Sequence, residues 1–199
     1  MKALLLNCSL EKGYKETDTE FLLNEAASTF QSEKTDVERV HLRDFHISFG
    51  ITSNLDGDDD WPFIFDKICE ADIVLFATPI TLGEKSSIAT LIIERLQGYH
   101  DMKNQKGQHL FYNKVGGIIA VDGGDGGARV AVQSIMYSLS MLGFTIPPHA
   151  GSICSEACHP DYISTSIQTQ VAKMSTNLIN FAEILSFHPI PVIKDTSET

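Results

Sequence analysis

Three stretches of the sequence gather residue types suited to holding a phosphorylated, planar ligand. The first runs Asn7-Cys8-Ser9-Leu10-Glu11-Lys12-Gly13-Tyr14-Lys15-Glu16-Thr17-Asp18-Thr19 and enters a helical pattern. A helix N-terminus offers unpaired backbone N–H groups and the positive end of a dipole, and both suit a phosphate. Ser9, Thr17 and Thr19 add hydroxyl donors. The loop fits neither a P-loop, since no Gly-Lys-Ser/Thr closes it, nor GxGxxG. Taken alone, its residues are explained equally well by a helix cap at Thr17 or Asp18.

The second stretch is Thr78-Pro79-Ile80-Thr81-Leu82-Gly83-Glu84-Lys85-Ser86-Ser87. Pro79 and Gly83 suggest a tight path with N–H groups turned toward a ligand, although a strand-to-helix turn capped near Ser86 or Glu84 fits as well. The third, Asp122-Gly123-Gly124-Asp125-Gly126-Gly127, holds four glycines and two acids. Glycine lets a backbone approach a flat ligand closely. Four of them exceed what an irregular turn capped by Asp125 needs, so here the ligand reading is favoured.

The elements around these loops alternate between apolar runs and helical periodicity. Apolar runs at Ala3–Leu6, Ile73–Ala77 and Val115–Val121, the alternating stretch Val37–Leu42 and the short Phe144–Ile146 read as strands. Helical patterns cover Thr19–Phe30, Trp61–Glu70, Ser86–Leu96, Ala128–Leu142 and, as a long pattern open to a bend or break, Asp161–Ser186. Strands buried on both faces and each followed by a helix predict a doubly wound parallel sheet. Five strands and five helices fit the flavodoxin-like order 2-1-3-4-5, in one domain over residues 1–190 with a polar tail at 191–199. In such a sheet ligands bind beyond the carboxyl ends of the strands where the order reverses, which is where the three loops fall.

Composition narrows the partners. Fifteen basic residues against 26 acidic ones give a net charge of −11. Such a surface repels nucleic acid and anionic lipid, so neither is expected as a partner. The apolar run after Lys2 stops at Asn7, too short for a secretory core segment, and a cytoplasmic location is expected. Asp56-Gly57-Asp58-Asp59-Asp60 lacks the glutamate an EF-hand needs, because Lys67 stands there, and reads as a loop capping the next helix. Cys8 and Cys69 read as small buried residues; Cys154-x3-Cys158-His159 fits a redox pair or half a metal site, but no partner pair for a structural zinc is visible, and two unrelated loop cysteines are the favoured reading.

At these same residues the chain resembles the NADPH-dependent FMN reductase-like flavoproteins, including the multimeric flavodoxins, over roughly residues 1–150. Lys2–Leu10 resembles the family's first strand and phosphate loop, and Ala71–Ile80 its third strand and second flavin loop. Lys114–Ala120 resembles the fourth strand, and Leu142–Pro148 is also similar to the family pattern. The resemblance implies flavin mononucleotide (FMN) held without a covalent bond, NADPH or NADH as electron donor, and a homodimer or homotetramer. By the same resemblance Ser9, Thr17, Asp18 and Thr19 stand at the phosphate, and Pro79, Ile80, Thr81, Leu82 and Gly83 run along the isoalloxazine. Asp122, Gly123, Gly124, Asp125 and Gly126 line its other side.

Three positions depart from the family pattern. Asp18 replaces a neutral residue near the phosphate, Thr81-Leu82 stands where an aromatic pair is usual, and His149–Cys154 follows Pro147-Pro148 without a large ring. An aromatic stack contributes ~0.5–1.5 kcal/mol, so its loss weakens flavin affinity by about tenfold. The leading expectation is an NAD(P)H-dependent FMN oxidoreductase of the flavin or quinone reductase type, acting on a small-molecule electron acceptor with no dedicated acid–base residue. An electron-transfer flavodoxin and a divergent, non-catalytic binding protein that has lost FMN are the alternatives.

Overall fold

The computed structural model describes residues 1–12, 17–51, 57–124, 126–155 and 163–192. The continuous apolar runs form the middle of the sheet: β1 (Lys2–Asn7), β3 (Ile73–Thr81) and β5 (Val115–Asp122). β2 (Asp36–His41) and β6 (Gly151–Cys154) flank them in the order β2-β1-β3-β5-β6, all parallel. A two-residue strand, β4 (Glu84–Lys85), pairs antiparallel with the end of β3.

The pleat sends alternate side chains to opposite faces, and both faces are dry. Leu4 and Leu6 of β1 face α2 (Trp61–Glu70), α3 (Ser87–Gln97) and α4 (Ala128–Leu142). Ala3 and Leu5 face α1 (Asp18–Ser32) and α5 (Thr165–Phe187). Central strands without polar alternation are what such two-sided burial demands. At Gly117 a Cβ would sit 2.6 Å from Leu178 Cδ1, so the bare backbone of β5 is what lets α5 press against the sheet.

The flavodoxin-like order is observed, with β4 as an addition, and four elements differ from expectation. β3 does not end at Ala77 but continues through Thr78, Pro79, Ile80 and Thr81, because β5 offers a parallel partner as far as Ile80↔Asp122. Phe144–Ile146 is not a strand; it makes only the bridge Val115↔Thr145, and the fifth parallel strand is Gly151–Cys154. Two prolines, Pro147 and Pro148, separate that bridge from the true strand. The last helix is unbroken over 23 residues and starts at Thr165, whereas Asp161 and Tyr162 lie outside the described residues.

The acidic stretch before α2 is more than a solvated cap. Asp59 accepts from the Ser48 and Trp61 backbone N–H groups and pairs with Arg95 at 2.7 Å, both side chains fully buried. Arg95 also donates to the Ser48 carbonyl at 2.9 Å and lies over the Trp61 ring. The pair ties the segment after β2 to α3. Asp60, the residue at the cap position of α2, makes no side-chain cap bond.

Candidate functional site

The first loop leaves β1 at Asn7, which is buried between His41 of β2 and Ala77 of β3. The Asn7 side chain is committed at both ends. Its Oδ1 accepts from the Ser9 backbone N–H at 2.9 Å, and its Nδ2 donates to Glu20 Oε2 at 2.7 Å. Glu20 Oε1 accepts from Arg39 of β2 at 3.2 Å, and Arg39 also donates to Asn24 Oδ1. Cys8 N–H donates to the Ala77 carbonyl at 2.8 Å. Burial without a charged partner pushes the Cys8 thiol far above its ordinary range.

Two hydroxyls of this loop are disposed differently. Thr17 is the N-cap of α1, and its side chain accepts from the Glu20 N–H at 3.2 Å. Ser9 is 4% exposed, and its hydroxyl finds no hydrogen-bond partner among the described residues. An unpaired buried hydroxyl costs about 1–3 kcal/mol. Thr19 is buried in the first turn of α1, and Asp18 begins the helix, where a carboxylate favours the dipole. Residues 13–16 lie outside the described residues.

The second stretch is a hairpin, not an open loop. Ile80 pairs with Lys85 and Thr81 with Glu84, leaving Leu82 and Gly83 as a two-residue turn. Both have positive φ, 53° and 82°, the signature of a type I′ turn that matches strand twist. Leu82 therefore adopts a conformation that disfavours a side chain, and that side chain is 85% exposed. Ile80 is buried in the core cluster that includes residues of α3 and α4.

The third loop is organised by its own acid. The buried Asp122 carboxylate accepts from Gly124 N–H and Gly126 N–H, each at 3.2 Å. A Cβ on Gly123, Gly124 or Gly126 would meet nothing within 4 Å, so the loop borders open space. Asp125 lies outside the described residues. Gly127 caps α4 without a side-chain bond, and a polar cavity of about 530 Å³ opens there, lined by Asp122, Gly126, Arg129 and Gln170 among others.

The fold brings all three stretches to one end of the sheet. Ser86 Oγ donates to the Cys8 carbonyl at 2.7 Å and accepts from the Ala89 N–H, so one side chain joins loop one to the cap of α3. Thr78 Oγ1 accepts from the Ser86 N–H at 3.1 Å. The hairpin meets the third loop backbone to backbone, at Gly83 and Gly127. Asn7, Glu20, Arg39 and Thr78 were not singled out by the sequence patterns, and Ser86 was weighed only as a cap. The available signal was Asn7 two residues before a loop N–H, the spacing at which an Asn side chain closes a turn.

Among the described residues no group of three His, Cys, Asp or Glu could hold a metal. Cys154 is buried at the end of β6, and Cys158 and His159 lie outside the described residues. No described helix is long and apolar enough to cross a membrane.

Residues 1–157 match the family model described as NADPH-dependent FMN reductase. The 8-demethyl-8-aminoriboflavin-5'-phosphate synthase of Streptomyces davaonensis is 32% identical over 161 residues, covering 76% of this chain and 62% of that protein. The divalent metal cation transporter MntH of Mycobacterium bovis is 26% identical over 199 residues, covering 93% of this chain and 29% of that protein. The chain thus spans less than two thirds of the length of either curated relative. Among solved structures, that of RosB with the bound intermediate 8-demethyl-8-formylriboflavin-5'-phosphate superposes with a TM-score of 0.85 at 25% identity. That superposition covers 100% of this chain and 92% of the other.

Proposed function

The chain belongs to the NADPH-dependent FMN reductase family, and from that premise we propose that it binds FMN at the three strand-end loops and oxidises NADPH or NADH through it. The single observation that carries the proposal is the Ser9 hydroxyl, buried and without a hydrogen-bond partner among the described residues, in the loop that Asn7 ties to Glu20 in the first turn of α1. A phosphate oxygen is the acceptor that this hydroxyl and the adjoining helix end lack. The open space beside Gly123, Gly124 and Gly126 accommodates a flat ring with no side chain in the way.

In this reading Ser9 and Thr19 donate to the phosphate, Thr17 fixes the start of α1, and Asp18 reduces the pull of the helix end. Pro79, Thr81, Leu82 and Gly83 form one wall through the hairpin, and Asp122 with Gly123, Gly124, Asp125 and Gly126 forms the other. Ile80 acts from below by fixing the hairpin to the core. When bound, FMN would supply the redox chemistry between a nicotinamide donor and a small-molecule acceptor. The protein's part is to hold the flavin, to set the charge near its ring through Asp122, and to present the nicotinamide to one face. Leu82, exposed at the tip of the hairpin, would offer the flavin no aromatic stack on that wall. The protein acts as a homodimer or homotetramer in the cytoplasm. Purified protein incubated with FMN and passed through gel filtration tests the binding; NADPH consumption by the flavin-loaded protein tests the activity.

A second reading makes the flavin phosphate a substrate. It is favoured by the 0.85 TM-score to a structure holding a modified riboflavin phosphate and by the 32% identity to a synthase of a modified flavin phosphate. Mass analysis of the flavin recovered after turnover separates the two: an unchanged FMN mass supports the cofactor role, and an altered mass supports the substrate role.

A further inference from the structure

We infer that Asn7, Glu20 and Arg39 form a charge-balanced relay that presets the first loop for a phosphate, with Arg39 a positioning residue that neutralises Glu20. The inference rests on the FMN reading above and assigns three residues to the phosphate end that touch it only through Ser9.

The relay crosses three elements. Arg39 of β2 donates to Glu20 Oε1 at 3.2 Å, Glu20 Oε2 accepts from Asn7 Nδ2 at 2.7 Å, and Asn7 Oδ1 accepts from Ser9 N–H at 2.9 Å. Each link fixes the next. Glu20 takes the Asn7 amide nitrogen, which leaves only the amide oxygen to face Ser9. That oxygen closes a turn two residues on and fixes the backbone of Ser9, whose hydroxyl has no partner among the described residues.

Electrostatics explains the third member. A carboxylate in the first turn of α1 organises the loop, but it stands beside the place where a phosphate dianion would bind. The side chains of Glu20 and Arg39 are only 13% and 33% exposed, so solvent screens the carboxylate incompletely. Arg39 cancels that charge while leaving the hydrogen bond to Asn7 intact. A bare Glu20 therefore repels phosphate more strongly than an absent Glu20 fails to organise the loop. The two substitutions are coupled, and the coupling has a sign.

Titration of FMN and of riboflavin, which lacks the phosphate, into the wild type, Arg39→Ala and Glu20→Ala/Arg39→Ala tests the relay. Arg39→Ala is expected to weaken FMN by about tenfold and leave riboflavin within about twofold, with the double variant recovering most of the FMN loss. Arg39→Lys, which keeps the charge, is expected to bind FMN as the wild type does. If Arg39→Ala does not fold, as judged by circular dichroism, Arg39→Gln takes its place, with the same selective loss expected. Equal weakening of FMN and riboflavin, or a double variant as weak as the single one, overturns the relay while leaving the FMN site standing. A wild type that retains neither flavin overturns the FMN reading, and the relay falls with it.

Discussion

A Cβ built on Gly127 would lie 2.1 Å from the Cα of Gly83, so the hairpin after β3 and the loop after β5 touch backbone to backbone. No other residue type fits at Gly127 unless one of the two loops moves. Gly127→Ala is expected to lower stability by about 1–3 kcal/mol, as overpacking does, and to displace both proposed walls of the flavin site. Gly83→Ala meets only an ordinary 3.6 Å contact, and its penalty comes from the positive φ of 82°. It is expected to cost about 1–2 kcal/mol. Thermal melts and FMN titrations of the two variants read the difference: Gly127→Ala loses more flavin affinity than Gly83→Ala.

Ser9→Ala separates stability from binding. Removing a buried hydroxyl that has no partner among the described residues relieves a desolvation penalty, so the unliganded variant is expected to be as stable as the wild type or up to about 1–3 kcal/mol more stable. FMN affinity moves the other way, falling by about tenfold for the loss of one hydrogen bond to a charged group. Urea unfolding without flavin and a flavin titration give the two numbers. Opposite signs are the expected result.

Asp122→Asn probes the third loop. The carboxylate accepts from Gly124 and Gly126, and an amide keeps one such acceptor and loses the other. The substitution also removes a negative charge from the proposed ring environment, which eases formation of an anionic reduced flavin. The midpoint potential is expected to rise, and spectroelectrochemical titration of the loaded protein measures it. An unchanged potential removes Asp122 from the flavin's surroundings.

The Asp59–Arg95 pair gives an acid-stability signature. Burial alone would raise the Asp59 carboxyl, but hydrogen bonds from Ser48 and Trp61 and the Arg95 guanidinium outweigh it and hold the group below its ordinary value. A lowered folded-state value stabilises the protein above about pH 4 and loses that contribution as pH falls through the lowered value. Arg95→Ala leaves a buried carboxylate unpaired and is expected to cost about 3–5 kcal/mol. The single tryptophan, Trp61, lies against Arg95, so its fluorescence reports acid unfolding of this segment directly. The variant is expected to unfold at higher pH than the wild type.

The sheet was legible because burial writes itself into composition: Ile73–Ala77 and Val115–Val121 have no polar alternation, and both are central strands. α2 and α4 were found to the residue because their apolar spacing and the flanking Gly143 mark both length and end. The extension of β3 through Pro79 was not legible, since a proline in a strand argues against one unless its partner is known. Gly151–Cys154 was missed for a related reason: four residues with a glycine and a serine become a strand only because β5 stands open beside them. At the site, the loops were visible as concentrations of glycine and hydroxyls. The tie between Asn7 and Glu20 was not, because it spans 13 residues and depends on where α1 lands on the sheet. Ser86 shows the same limit, since its bond to the Cys8 carbonyl reaches across 78 positions.

The most direct measurement is the visible spectrum of the purified chain after incubation with FMN and removal of free flavin by gel filtration. Retained flavin absorbance, diminished in Ser9→Ala under the same conditions and bleached by NADPH in the wild type, is the expected result. A colourless wild-type fraction after incubation with a large molar excess of FMN would contradict flavin binding at the three loops.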